Sequence, residues 1–170
     1  LDEARDVVHT GLGAVAALAA APGDPGPQVT LRRAFHTLKG SARMVGLSEL
    51  GEASWALEQM VNGWLAEQSP AHPDLLRVAD DALKAFGLWV EDIAVGAADH
   101  WRAQPFRASA DARRLELRYL PLAVPQASAD VNAPEPVVQA VVAAELPEVV
   151  PEAVPEVVSE PEPELPPEVR

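Results

Sequence analysis

Apolar residues recur every three to four positions along four stretches of the first hundred residues, which is the spacing of helices that bury one face. Short segments rich in proline, glycine or polar residues separate these stretches. Four helices with short connections favour an arrangement in which neighbours run antiparallel. The pattern therefore predicts an all-α fold, an antiparallel up-down four-helix bundle over residues 1–97. The predicted helices cover, in order, about residues 2–20, 27–45, 48–68 and 74–95.

The second predicted helix carries one histidine on the side opposite its apolar stripe. That stripe consists of Leu31, Phe35, Leu38, Ala42 and Val45. At about 100° per residue, His36 lies about 135° from the stripe, so its imidazole is expected to face solvent. Four cations lie within about 60° of it by the same geometry: Arg32, Arg33, Lys39 and Arg43. An exposed histidine framed by cations is well suited to holding a phosphoryl group.

The helical pattern weakens after residue 97. Ser109 is a candidate N-cap for a short arginine-rich helix reaching about Tyr119, just as Ser48 is for the third helix. Residues 98–120 are either this extra helix or the start of a linker. From residue 121 onward the chain is rich in Pro, Glu, Val and Ala and holds 11 of the 17 prolines. Proline interrupts helices and ladders, and repeated acids extend the chain, so residues 121–170 are predicted to be a disordered acidic linker.

The net charge of −13 is unevenly distributed along the chain. Residues 1–120 hold 16 acids and 12 bases, a net of −4, whereas residues 121–170 hold 10 acids and one base, a net of −9. A chain this acidic should be repelled by nucleic acid and by anionic membranes. The segment from Gln28 to Val45 is the exception, since it has four bases and no acid. This segment is therefore expected to meet an anionic ligand or partner.

Composition excludes several classes of function. The chain has no cysteine, which excludes thiol catalysis and cysteine metal sites and is compatible with the reducing cytoplasm. No run of about 18 apolar residues occurs, so membrane insertion is not expected. The histidines lack the spacing of a metal site, and His9, His72 and His100 are expected to be bystanders. The chain starts at Leu1 rather than at a methionine, which suggests a piece of a longer protein.

The residues from His36 to Ala42, His-Thr-Leu-Lys-Gly-Ser-Ala, resemble the phosphoacceptor motif His-x-x-Lys-Gly-[Ser/Gly/Ala] of histidine phosphotransfer (HPt) domains. The wider stretch 34–47 is most similar to HPt domains of large chemotaxis-type hybrid histidine kinases related to CheA, including those that govern type IV pilus twitching. The resemblance covers about residues 29–95 well and the first helix loosely. It implies that the parent chain is a hybrid sensor histidine kinase and that this cytoplasmic fragment is not an enzyme by itself.

Individual roles follow from the chemistry of the histidine and from the resemblance. Neutral imidazole attacks through one nitrogen, while an acceptor that holds the other N–H fixes the tautomer. Glu58 lies about 70° from the centre of the buried stripe of its helix, where CheA-type domains carry a glutamate bonded to the phosphoacceptor. His36 is therefore expected to react through Nε2, with Glu58 on Nδ1 and Lys39 neutralising the phosphoryl oxygens. Gly40 would admit a partner, and the further docking candidates are Arg32, Arg33, Ser41, Arg43 and Trp55.

The implied function is that of a phosphorelay carrier. His36 would take a phosphoryl group from a histidine kinase catalytic domain or a phosphorylated receiver domain and pass it to the aspartate of a response-regulator receiver. The chain has no Gly-rich nucleotide loop, so no cofactor is expected here, and ATP and Mg²⁺ belong on the partner domains. Two alternatives are a docking or scaffold module with a degenerate motif and a small helical hydrolase or phosphatase. The second is disfavoured because no oxyanion donors or second catalytic base can be named.

Overall fold

A computed structural model of the chain describes residues 1–125, and the all-helical prediction is confirmed because these residues contain helices and no strand. The predicted disordered linker lies, from residue 126 onward, outside the described residues. Within residues 1–125, no helix has the length and apolarity required to cross a membrane. The helices are α1 (Asp2–Ala20), α2 (Pro25–Met44), α3 (Ser48–Ala66), α4 (Pro73–Ala94), a 3₁₀ turn (Ala98–His100) and α5 (Gln104–Glu116).

Local sequence determines where α2 and α4 begin. The Asp24 carboxylate accepts a hydrogen bond from the Gly26 N–H at 2.9 Å, and proline occupies the first turn, where a backbone N–H has no helical partner. His72 has the same role at α4, where its Nδ1 accepts from the Asp74 N–H at 3.2 Å. Ser48 was predicted to cap α3, and this is wrong, because Leu47 is the N-cap and no side chain caps the helix.

Glycine ends two of the helices. Gly46 follows α2 with φ of +79°, and Gly96 follows α4 with φ of +72°. This left-handed backbone conformation is strained for most residues that have a Cβ atom. The Leu47 N–H then donates to the carbonyl of Ala42 at 2.9 Å, which closes the end of α2. The turn between α2 and α3 is consequently short, and it returns α3 along the side of α2.

Helix α2 packs against both α1 and α3, and α4 packs against α1. The side-chain pairs between α2 and α3 run in opposite order along the two helices, so these helices are antiparallel: Arg43–Glu52, His36–Glu58 and Arg32–Asn62. The buried stripe of α2 meets that of α4, where Phe35 contacts Phe86 edge-on at 6.3 Å between ring centroids. This packing directs the opposite side of α2 outward.

The segment after α4, for which the sequence left two alternatives, packs on the bundle. Trp101 and Phe106 are almost wholly buried, at 2% and 1% exposure. Phe106 stacks on Phe86 at 4.8 Å, and Trp101 stacks on Trp89 at 5.0 Å. Helix α5 therefore fills the space between α3 and α4, which make little direct contact with each other.

The predicted start of this extra helix was wrong. Helix α5 begins at Gln104, and Ser109 lies inside it, where its hydroxyl donates to the Leu120 carbonyl at 2.7 Å. The first turn is bound instead by Glu49 of α3, whose carboxylate accepts from the Ala103 N–H at 2.6 Å. This contact spans 54 positions of sequence and has no local signal.

The chain continues along α4 after α5 ends. The Tyr119 hydroxyl donates to the Asp81 carboxylate at 2.6 Å, and the Arg77 guanidinium lies 3.9 Å from the centre of the Tyr119 ring. Leu122 and Val124 are partly buried against the core. The described residues of the predicted linker, 121–125, therefore contact the helices.

Candidate functional site at His36

The imidazole of His36 stands on the outer side of α2. Its side chain is 61% exposed, whereas Phe35, directly before it, and Leu38, two residues after it, are buried. This orientation follows from the helical period, because the residues that α2 buries occupy the opposite side. The ring is thus accessible to a second macromolecule.

Glu58 of α3 contacts the ring from below. Its Oε1 lies 2.7 Å from His36 Nδ1, and its side chain is only 4% exposed. An ionised carboxylate can only accept hydrogen bonds, so this contact holds the proton on Nδ1. The remaining ring nitrogen, Nε2, then carries a lone pair on the exposed side of the imidazole. A nucleophile at Nε2 requires this tautomer.

Lys39 is the second partner of Glu58. Its Nζ donates to Glu58 Oε2 at 2.5 Å and lies 3.5 Å from His36 Nδ1. The lysine is therefore on the Nδ1 side of the ring, with its side chain 18% exposed. In this arrangement its charge compensates the buried carboxylate. Its predicted role on phosphoryl oxygens stays a prediction and would require the ammonium to be shared with, or released from, Glu58.

The electrostatics of the site keep Glu58 ionised. Burial by itself raises the pKa of Glu58, but the hydrogen bonds from Lys39 and His36, together with the charge of Lys39, outweigh burial and lower the pKa below its ordinary value. A buried carboxylate with two donors is stable in its charged form. The group that holds Nδ1–H is consequently an acceptor at neutral pH.

The predicted docking residues do not form one continuous stripe. Arg32 donates to the Asn62 amide oxygen at 2.8 Å, and Arg43 pairs with Glu52 at 2.9 Å, so both lean towards α3. The other candidates lie elsewhere around α2: Arg33 in an open groove between α1 and α2, Ser41 3.4 Å from Glu3, and Trp55 on α3 at 38% exposure.

Gly40 lies one turn from His36 on the same side of α2. A Cβ placed there would meet nothing within 4 Å, so the packing of the described residues does not require glycine at this position. Glycine inside a helix costs about 0.8–1 kcal/mol relative to alanine. The open space above Gly40 is consistent with the predicted approach of a partner.

The other histidines have different surroundings. His9 is exposed, His72 caps α4, and His100 Nε2 lies 3.4 Å from Asp92. Asp92 is already bonded to the indole N–H of Trp101 at 2.6 Å, so it is not dedicated to the histidine. Within residues 1–125, no group of three or more His, Cys, Asp or Glu side chains is arranged to hold a metal ion.

Sequence reasoning missed the surroundings of Glu52. This carboxylate accepts from Arg43 of α2 and from Arg107 of α5, at 2.9 and 3.4 Å, and so joins three helices at the surface. From the sequence alone, Glu52 is only an acid near the start of α3, where it suits the positive end of the helix dipole. No sequence signal could have identified Arg107 as its partner, because the position of α5 depends on long-range packing.

A family model described as "Hpt domain" matches residues 1–89, which is more than half of the chain. The chain belongs to the Hpt domain family. Hpt domains carry a phosphoryl group on histidine in phosphorelay signalling, where they interact with kinases and receiver domains and act as carriers rather than catalysts. Comparison with curated proteins and with solved structures gave no match. The Hpt match includes α1 to α3 and most of α4, and it ends before α5.

Proposed function

We propose that His36 is the phosphoacceptor of this Hpt domain and reacts through Nε2. The observation that supports this proposal is the 2.7 Å contact between Glu58 and Nδ1 beneath an otherwise exposed ring. The Nε2 lone pair attacks phosphorus, the P–N bond forms, and the donor oxygen leaves with the electrons of its bond to phosphorus. The ring becomes positively charged while Nδ1 keeps its proton, and the carboxylate of Glu58 stabilises that charge.

The second transfer reverses this sequence on a receiver domain. A receiver aspartate attacks phosphorus, the P–N bond breaks, and its electron pair returns to Nε2. We infer that ATP and Mg²⁺ act on the partner domains. Once the phosphorylated ring is cationic, it pairs with Glu58, and the Lys39 ammonium can then move from Glu58 towards the phosphoryl oxygens. Gly40, Ser41, Trp55 and the three arginines of α2 would form the surface around the reacting atoms.

The resemblance at residues 34–47 supports a more specific context. We propose that α1 to α4 form the antiparallel four-helix bundle of a CheA-related domain and that the parent chain is a cytoplasmic chemotaxis-type hybrid histidine kinase. The donor is then the kinase catalytic domain of that system. A scaffold without phosphoryl transfer would have no need of a buried carboxylate directed at an exposed imidazole.

The proposal is tested by labelling the protein with a radioactive phosphoryl donor, either phosphoramidate or a histidine kinase with ATP. We expect a label that is stable in base and lost in acid, which is the behaviour of a phosphoramidate bond. His36→Gln should abolish it. His9→Gln is the matched control, because His9 is also exposed on a helix. Label retained in His36→Gln would refute the assignment, and steady release of free phosphate would indicate an enzyme.

A further inference from the structure

One part of the surface near His36 includes a residue from outside the region matched by the family. We name it the arginine–tryptophan surface; it consists of Arg43, Glu52, Trp55 and Arg107. Arg43 and Arg107 approach the Glu52 carboxylate from opposite sides, from α2 and from α5, with all three side chains about half exposed. Their guanidinium groups therefore lie close together on the outer surface of α3.

Gly51 allows Arg43 to take this position. A Cβ at Gly51 would lie 3.0 Å from Arg43 Cγ, so the aliphatic part of the arginine rests directly on the backbone of α3. Glu52 has two cationic partners and one charge, which leaves the cluster net positive. The surface thus presents guanidinium groups that are already oriented rather than free in solvent.

Trp55 lies beside this cluster, one turn after Glu52 and one turn before Glu58 on α3. It is 38% exposed, and among the nine large apolar side chains exposed within residues 1–125 it is the aromatic one. Glu52 precedes Glu58 by six residues, about 9 Å along the helix axis. A standard interface covers about 800 Å² on each partner, roughly 30 Å across. A partner centred on His36 would therefore cover Trp55 and both arginines.

We propose that Arg107 of α5 is a docking residue for the receiver domain, with Trp55 as the apolar centre of that contact and Arg43 beside it. The proposal rests on the function proposed above and extends it to a helix that lies beyond residue 89. The family identifies the occupant, because Hpt domains interact with receiver domains, and a cluster with net positive charge favours a receiver with acidic side chains at the edge of the interface. Tryptophan and arginine are the side chains most often found at the energetic centres of interfaces.

The test compares two rates measured on the full chain. The first is labelling of His36 by phosphoramidate, a donor too small to need a docking surface. The second is the rate at which labelled protein transfers its phosphoryl group to a receiver domain. The receiver is the one in a panel to which the wild type transfers fastest. Arg107→Glu should lower the ratio of transfer to labelling about tenfold at low salt, because charges at an interface edge govern association. The deficit should shrink as salt is added.

Lys84→Glu is the matched control. Lys84 is exposed and paired with Asp80 on α4, and α4 meets α2 through its buried side, at Phe86, rather than through Lys84. Arg107→Ala removes one exposed ion pair and introduces no repulsion, so it is expected to fold normally. It controls for a folding defect in Arg107→Glu and should lower the ratio of transfer to labelling by less. An Arg107→Glu ratio equal to that of Lys84→Glu would overturn the docking proposal. Wild type that acquires no label from phosphoramidate or a kinase would instead overturn the phosphoacceptor assignment.

Discussion

The His36 site and the aromatic cluster at α5 lie on different sides of α3 and are built from different kinds of contact. The site joins α2 to α3 through an exposed imidazole, a buried carboxylate and a lysine. The cluster joins α4 to the segment that follows it through the stacked rings of Phe86 and Phe106 and of Trp89 and Trp101. The site falls within the residues matched by the Hpt family, and half of the cluster does not.

The difference indicates a division of roles. Aromatic burial stabilises the fold without directing any group outward, whereas the polar site orients one nitrogen and contributes less to stability. Helix α3 takes part in both, since Glu58 contacts His36 and Glu49 binds the first turn of α5. Changes in the aromatic cluster should therefore act mainly on stability, and changes at the His36 site should act mainly on phosphoryl transfer.

The largest expected effect is on the stability of the aromatic cluster. Phe106→Ala removes a buried ring stacked on Phe86, and we expect the free energy of unfolding to fall by about 3–5 kcal/mol, measured by urea denaturation. Leu115→Ala, at a position 66% exposed on the same helix, should change it by less than about 0.5 kcal/mol. The labelling rate per folded molecule should be unchanged in both variants. A loss in Phe106→Ala as small as that in Leu115→Ala would show that α5 is not part of the folded core.

A smaller effect, on rate, is expected at Glu58. Glu58→Gln keeps the size of the side chain but removes the charge that holds Nδ1–H and stabilises the cationic ring. Phosphorylation of His36 should slow by roughly ten- to a hundredfold, while helicity in far-UV circular dichroism is retained. Glu67→Gln, at an exposed acid at the end of α3, serves as the control. Equal rates in the two variants would remove Glu58 from the mechanism.

The same carboxylate predicts a dependence of stability on pH. The pKa of Glu58 is lowered on folding, so its contribution is fully present above the unfolded value of about 4.5 and is lost as the pH falls through the lower folded value. Wild type should exceed Glu58→Gln by about 1.5 kcal/mol at pH 7. Urea titrations between pH 7 and 3 should show this difference shrinking only below about pH 4.5. A difference that fails to shrink between pH 4.5 and pH 3 would contradict the charged state assigned to Glu58.

The smallest effect concerns Gly40. Because a Cβ there meets nothing within 4 Å, Gly40→Ala should raise the free energy of unfolding by about 0.8–1 kcal/mol. Transfer to the receiver should slow if a partner approaches this position closely. Gly13→Ala in α1 is matched, since Gly13 is also helical with open space around its Cβ position, and it should stabilise the protein without slowing transfer. Equal transfer rates in the two variants would show that the glycine does not serve docking.

Hydrophobic periodicity determined the four main helices to within a few residues, and α1 spans Asp2–Ala20 as predicted. Periodicity is a local property, since each residue's side of a helix follows from its position in the same helix. The orientation of His36 away from the core is likewise determined by its position within α2. The outer position of the motif and the all-helical class could therefore be inferred without any long-range contact.

Contacts between distant residues decided what the pattern could not. The start of α5 depends on Glu49, 54 positions away, and its burial depends on aromatic rings of α4. The Lys39 ammonium binds Glu58, and Arg32 and Arg43 reach towards α3, because hydrogen-bond partners outside the helix determine where long side chains end. A sequence specifies which side of a helix a residue occupies, but only the packed neighbour determines which atoms meet.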